Sequence, residues 1–171
     1  MIYLRSLKEK DAVLMLEWMH DAEIQKAFQK KMINLTLDDA IKFCRESNKN
    51  DTIADGINMH YAIVDETDEY YGTVSLKKID LRNKNAEYAI AMRRSAQGKG
   101  IAWQATKLVL QIGFEKFKLH RIYLNVLKDN ERAIHFYRKS GFMYEGEFRD
   151  CLLIDGQYKT LEWYSMLNDN D

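Results

Sequence analysis

The chain contains no proline, and its two cysteines, Cys44 and Cys151, lie far apart. That separation matches neither a metal nor a redox spacing, so both are expected as free thiols in a reducing, cytoplasmic setting. The missing proline has no functional account. No apolar run approaches the roughly 20 residues of a membrane span. The first residues, Met1-Ile2-Tyr3-Leu4-Arg5, lack the layout of a signal peptide and read as the start of a strand. Neither sign of charge is in excess: 26 basic and 26 acidic residues give a formal net charge of zero. A nucleic-acid coat or a polybasic membrane patch leaves a basic excess, so neither nucleic acid nor a membrane is expected as a partner. His20, His60, His120 and His135 form no metal-ligand spacing and no Ser/His/Asp order, and no metal is expected. They read as surface or half-buried residues. Repeats, low-complexity tracts and linkers are absent too. With 171 residues, 46% of them hydrophobic, residues 1–171 are expected to form one domain around a full core.

What is present is a run of short strands followed by alternating helices and strands. Met1 to Ser6 alternates as a strand, and Lys8 to Met19 has helical apolar spacing with Asp11 near its start. A second short helix is expected from Ala22 to Phe28. Thr36-Leu37-Asp38-Asp39 resembles a capping box ahead of a helix reaching about Ser47. Asn48 to Asn58 is polar and loop-like. His60–Val64 and Gly72–Leu76 flank an acidic turn and read as a hairpin, followed by a strand from Glu87 to Met92. A long helix from Ile101 to about Phe117 and a strand over Arg121–Val126 come next. The helix Glu131–Lys139 is capped by Asp129 or Asn130 and ended by Gly141. Two strands, Phe142–Arg149 and Tyr158–Leu167, close the chain around Asp155-Gly156. This order predicts an α+β fold with a mixed central sheet of about six to seven strands flanked by helices.

The stretch from Arg93 to Ala102 sits between a strand and a helix, the arrangement of an anion site. The first N–H groups of a helix have no internal acceptor, and the dipole adds about half a positive charge there. Gly98 and Gly100 let the backbone turn tightly and let a phosphate approach. Lys99, Arg93 and Arg94 are expected to add full charges. The Walker spacing fails because Gly100 follows Lys99, and the dinucleotide fingerprint fails because Trp103 takes its third glycine place. The bland alternative is an ordinary strand-to-helix turn.

Gln97-x-x-Gly100-x-Ala102 resembles the Gln/Arg-x-x-Gly-x-Gly/Ala signature of the GNAT (Gcn5-related) N-acetyltransferases. A second segment, Asn130-x-x-Ala133-x-x-x-Tyr137-x-x-x-Gly141-Phe142, is similar to that family's Asn-x-x-Ala-x-x-x-Tyr-x-x-x-Gly-Phe, and the order of elements resembles the GNAT fold along essentially the whole chain. The resemblance implies acetyl-coenzyme A as co-substrate, its pyrophosphate held by Gln97, Gly98, Lys99, Gly100, Ile101 and Ala102. It places the pantetheine against the backbone of Ile90, Ala91, Met92 and Asn125 and beside Asn130 and Ala133. It gives Tyr137 the role of general acid toward the leaving thiolate, a role a phenol with pKa about 10 suits. Asn130 and Tyr137 lie two turns apart on one helix face. Read alone, Tyr137 is a core tyrosine, since Ala133 and Ile134 share its face. Glu87 is placed where several family members carry a carboxylate base, with a solvent-facing strand residue as its alternative. Neither cysteine lies in a motif, so transfer is expected to be direct.

The acceptor is expected to be a primary amine. A polyamine nitrogen with pKa near 10.4 costs roughly 4–5 kcal/mol to present neutral at pH 7. Leu16–Asp21, Phe117–Ile122 and Phe148–Tyr158 resemble the RimJ/RimL-like branch, which implies a polyamine, an amino-sugar nucleotide or a protein N-terminus as acceptor. A homodimer is an assembly common in that branch. Trp18 and Phe28 are expected over the acceptor groove, with plain core packing as the alternative for each. Carboxylates for a polyamine are available in the turn Asp65, Glu66, Asp68 and Glu69, with a simply solvated charged turn as the alternative. A GNAT fold that binds acyl-coenzyme A without turnover is the competing class.

Overall fold

Alternating apolar residues build the strands and helical apolar spacing builds the helices. The computed structural model describes residues 1–47 and 52–169, so residues 48–51 of the expected polar loop lie outside the described residues. The order is β1 (Ile2–Ser6), α1 (Asp11–His20), α2 (Ala22–Gln25), α3 (Leu37–Ser47), β2 (Met59–Asp65), β3 (Tyr70–Asp80), β4 (Asn85–Met92), α4 (Ile101–Gln111), β5 (Arg121–Leu127), α5 (Glu131–Lys139), β6 (Met143–Ile154) and β7 (Gln157–Leu167). The strands form one sheet in the order β1-β2-β3-β4-β5-β7-β6. All neighbours are antiparallel except β4 and β5, which run parallel. The expected mixed α+β sheet is therefore the observed one.

Period-two alternation gives the sheet two faces with separate cores. On one face, Val74, Leu76, Tyr88, Ile122, Leu124 and Val126 pack with Ile101, Ala105 and Val109 of α4. On the other, Ala62, Val64, Tyr70 and Ala91 meet Ala12, Met15, Trp18 and Met19 of α1 and Ala40 and Cys44 of α3. Helices thus cover both faces, and each strand residue's parity decides which layer it serves.

Several boundaries differ from expectation for local reasons. α1 starts at Asp11 rather than Lys8, because the buried Asp11 carboxylate accepts the Lys8 N–H at 2.8 Å and pairs with Arg5 at 2.7 Å. α2 stops at Gln25 rather than Phe28. The Gln25 side chain then ties down the following loop, donating to Trp18 O and accepting from Met32 N–H. α4 gives way at Ile112 to a π-type turn through Lys116, where Phe117 N–H reaches back to Ile112 O at 2.9 Å. Gly113 lies in that turn, and a Cβ there would meet Ile122 Cδ1 at 2.6 Å. The capping box at Thr36 forms as expected: Asp39 accepts from Thr36 N–H at 2.8 Å, and Asp39 N–H donates to Thr36 Oγ1 at 3.2 Å. Among the described residues, no helix is long and apolar enough to cross a membrane.

Candidate active site

The parallel pair β4 and β5 is in register only at Asn85–Arg121, Ala86–Ile122 and Glu87–Tyr123. Beyond Glu87 the strands part, while β4 stays paired with β3 as far as Met92. The β5-facing edge of β4 from Tyr88 to Met92 is consequently an open row of backbone polar groups, suited to pairing with an amide-bearing ligand. A cleft of about 1480 Å³ opens there. It exceeds the roughly 300–1,000 Å³ of an ordinary small-molecule pocket, so it has room for two substrates.

The cradle forms one end of this cleft. After β4 the chain makes a tight turn over Arg94–Ala96 and enters α4 through Gly100. Gly98 and Gly100 adopt φ of +75° and +71°, and nothing stands within 4 Å of where a Cβ would be. The first N–H of α4 to find an acceptor is that of Gln104, on Gly100 O at 3.2 Å. The preceding amides are thus available to an anion. Gln97, Gly98, Gly100, Ile101 and Ala102 all line the cleft.

The basic residues expected beside the cradle behave differently from that expectation. Arg93 is buried, with Nε on Glu17 Oε2 at 2.7 Å and Nη1 on Glu69 Oε1 at 2.5 Å and on Tyr70 O at 2.7 Å. Arg94 holds both carboxylate oxygens of Asp21 at 2.7 Å. That pairing, with the amides of Ile24 and Glu23, takes the Asp21 carboxyl down to about 2. Lys99 is exposed and outside the cleft lining. Arg94 still lines the cleft, and a further cation at the cradle is Arg132, whose Nη1 donates to Gln97 Oε1 at 2.8 Å. Sequence reasoning passed over it. The available signal was its place in the first turn of α5, where a positive charge opposes the helix dipole.

α5 supplies the cleft's flank. Asn130 caps it by accepting Ala133 N–H at 3.2 Å, and Asn130, Ala133, Phe136 and Tyr137 all line the cleft. Tyr137 stands edge-on to Tyr88, with ring centroids 6.0 Å apart, and touches Phe136 and Phe142. Burial among these rings pushes its phenol up to about 12. It remains a proton donor across the physiological range.

The far end lies on the α1–α3 face. Glu87 is buried, which excludes the solvent-facing alternative. Burial raises its carboxyl, but the ammoniums of Lys77 at 2.8 Å and Lys78 at 2.6 Å outweigh that and hold it below the usual carboxylate range. Trp18 and Phe28 stack with centroids 5.6 Å apart, and both line this end. Trp18 is also core: it is 5% exposed and its Nε1 donates to Tyr70 Oη at 3.1 Å. The Asn125 side chain accepts from Gln29 Nε2, so the loop after α2 bridges to β5 across the groove. His60, half-buried as expected, has its Nδ1 2.7 Å from Ser75 Oγ and lines the cleft. Burial first, and Lys77 second, lower its imidazole to about 4, so it is neutral at pH 7. The acidic turn Asp65–Glu69, which the sequence offers as polyamine carboxylates or as a solvated turn, is tied up by its own neighbours. Asp68 is held by Arg5, Lys8 and Lys10, Glu69 by Arg93 and Glu66 by the N-terminal ammonium, while Asp65 accepts from Thr67 and Tyr71.

Known proteins share this architecture and sequence. A spermidine N(1)-acetyltransferase of Escherichia coli (strain K12) is 42% identical over 98 residues, 57% of this chain and 53% of that protein. One from Vibrio cholerae serotype O1 is 31% identical over 113 residues, 66% of this chain and 65% of that protein. The chain thus spans about half to two thirds of the length of these relatives. The solved structure of spermidine N-acetyltransferase from Vibrio cholerae in complex with CoA and spermine matches with a TM-score of 0.86 at 23% identity, over 98% of this chain and 95% of that one, a likeness of fold. The family model for the acetyltransferase (GNAT) domain matches residues 2–143, and the chain belongs to that family.

Proposed function

We propose that this chain transfers the acetyl group of acetyl-coenzyme A directly to a primary amine of a small molecule, a polyamine or an amino-sugar nucleotide. The observation that carries the reading is the parting of β4 and β5 in front of the N-terminus of α4, with Tyr137 on its flank. The residues present fit the coenzyme. Gly98 and Gly100 leave open the space a Cβ would fill, the α4 amides before Gln104 have no helical acceptor, and Arg132 adds a cation. The open edge from Tyr88 to Met92 offers ladder bonds to the pantetheine amides. The coenzyme supplies an activated acyl group and a thiolate leaving group.

The chain's own residues then divide the work. Tyr137 donates a hydrogen bond to the departing sulfur. Its phenol, near 12, is a weaker acid than a thiol with pKa near 8.5. Its part is therefore to stabilise the developing charge, while the net proton comes from the amine. Glu87 offers a buried carboxylate to the acceptor ammonium and to the proton it sheds. Trp18 and Phe28 give the acceptor chain an apolar wall. The named activities of the relatives support a polyamine, and Glu87, Asp39 and Glu23 are the carboxylates lining the cleft for it.

A coenzyme A-release assay with acetyl-coenzyme A and a panel of polyamines, amino-sugar nucleotides, amino acids and N-terminal peptides tests the reading. Turnover on one class is the expected result. Silence across the panel with coenzyme still bound in calorimetry would turn the reading to a binding module, and silence without coenzyme binding would sink it.

A further inference from the structure

The acceptor end of the cleft already holds a primary ammonium on an alkyl chain. Lys77 projects from β3 opposite Glu87, its register partner on β4, and its Nζ lies 2.8 Å from Glu87 Oε1. Both side chains line the cleft, and their relative exposures are 30% for Lys77 and 9% for Glu87. Lys78 approaches the second oxygen at 2.6 Å from a left-handed backbone position, with its side chain 68% exposed. Glu87 Oε2 is buried and has the Lys78 ammonium as its ion-pair partner. Each oxygen thus carries a tethered amine, Lys77 on the cleft lining and Lys78 from the exposed side.

We infer that Lys77 is a tethered competitor of the acceptor. Its ammonium sits at the carboxylate that the acceptor ammonium takes, and binding requires Lys77 to swing away. This rests on the acetyl-transfer reading above. Lys77 is free to leave because its side chain is partly solvated, whereas Glu87 is fixed in the sheet. Once displaced, it still places a positive charge near Glu87, which disfavours a second cation and favours the neutral, attacking form of the amine. Lys77 thereby sets the acceptor affinity as a specificity-determining residue without touching the coenzyme.

The test compares the wild-type protein with Lys77→Met, in which Lys78 still balances Glu87, and with Lys77→Arg, which retains the charge. Spermidine binding is measured by calorimetry with coenzyme A present, and KM is measured for the amine and for acetyl-coenzyme A. In Lys77→Met, spermidine is expected to bind about two- to fivefold more tightly, the range for losing one partly exposed ion pair. KM for the amine falls with it, and KM for acetyl-coenzyme A stays put. Lys77→Arg is expected to behave as wild type. Should Lys77→Met fail to fold, Lys77→Gln removes the same charge with a polar end. Unchanged or weaker spermidine binding, or none by either protein, overturns the inference. Tightened binding with no turnover by any variant sinks the enzyme reading and leaves this one standing.

Discussion

Tyr137 meets Tyr88 edge-on, with the two ring planes 86° apart, and Tyr88 is itself fixed by a 2.8 Å hydrogen bond to Thr106 of α4. The phenol on α5 is thereby positioned by the helix that forms the cradle. Replacing Tyr137 by Phe keeps these ring contacts and removes only the donor. The turnover number should fall by about 100-fold or more. Acetyl-coenzyme A affinity should hold, and steady-state rates beside calorimetry read both.

His60 links stability to pH. Its folded pKa of about 4 lies below the ordinary 6.5, so the unfolded chain binds more protons between those values. The His60 contribution is complete above about pH 6.5 and declines as pH falls toward 4. Between pH 7 and 5 it should amount to at most about 2 kcal/mol. His60→Gln, compared with wild type in urea unfolding at both pH values, should lose less stability on acidification. An equal loss in both would refute the assignment.

Gly100 turns the chain into α4 at φ +71° with no neighbour to obstruct a side chain. Gly100→Ala should therefore lower stability by only about 1–2 kcal/mol, the cost of a left-handed residue. Its larger effect should be on acetyl-coenzyme A, since the new methyl enters the space left for the phosphates. Thermal melting and coenzyme titration separate the two.

Gly113 is the opposite case. Its Cβ would lie 2.6 Å from Ile122 Cδ1 and 3.3 Å from Leu76 Cδ1, inside a packed core and away from the cleft. Gly113→Ala should cost about 1–3 kcal/mol through overpacking. The KM values should not change, and a change would mean that the π-type turn communicates with the site.

Arg132 bridges α5 to the cradle through Gln97. Arg132→Ala should weaken coenzyme binding several-fold and flatten its dependence on salt, because a cation facing phosphates acts over a Debye length of about 8 Å at physiological ionic strength. Binding isotherms at two salt concentrations check it.

Much of this was legible in the sequence, because the signals were local. The capping box at Thr36, the Asn130 cap and the glycines of the cradle each act within a few residues, and each appears where its chemistry predicts. What stayed hidden was pairing across distance. Nothing in the run Arg93-Arg94 shows that Glu17, Glu69 and Asp21, from other elements, neutralise it. Likewise, Lys77 and Glu87 become neighbours only through the β3–β4 register. The sequence predicts the helix from Ile101 to about Phe117 and helical winding does reach Lys116, but its change to π-type winding after Gln111 leaves no local signal.

The short β4–β5 seam leaves the centre of the sheet an incomplete weave, held by three residue pairs where its neighbours are paired at five or more positions. The two halves of the sheet, β1–β4 and β5–β7, share ladder bonds at one end only, and elsewhere are joined by the packing of α4 and by side-chain bridges. An extended ligand laid along the gap acts as the missing thread between them. Its binding should therefore be felt as a mechanical event, slowing amide exchange on both sides of the gap together and raising the melting temperature in proportion to the logarithm of ligand concentration.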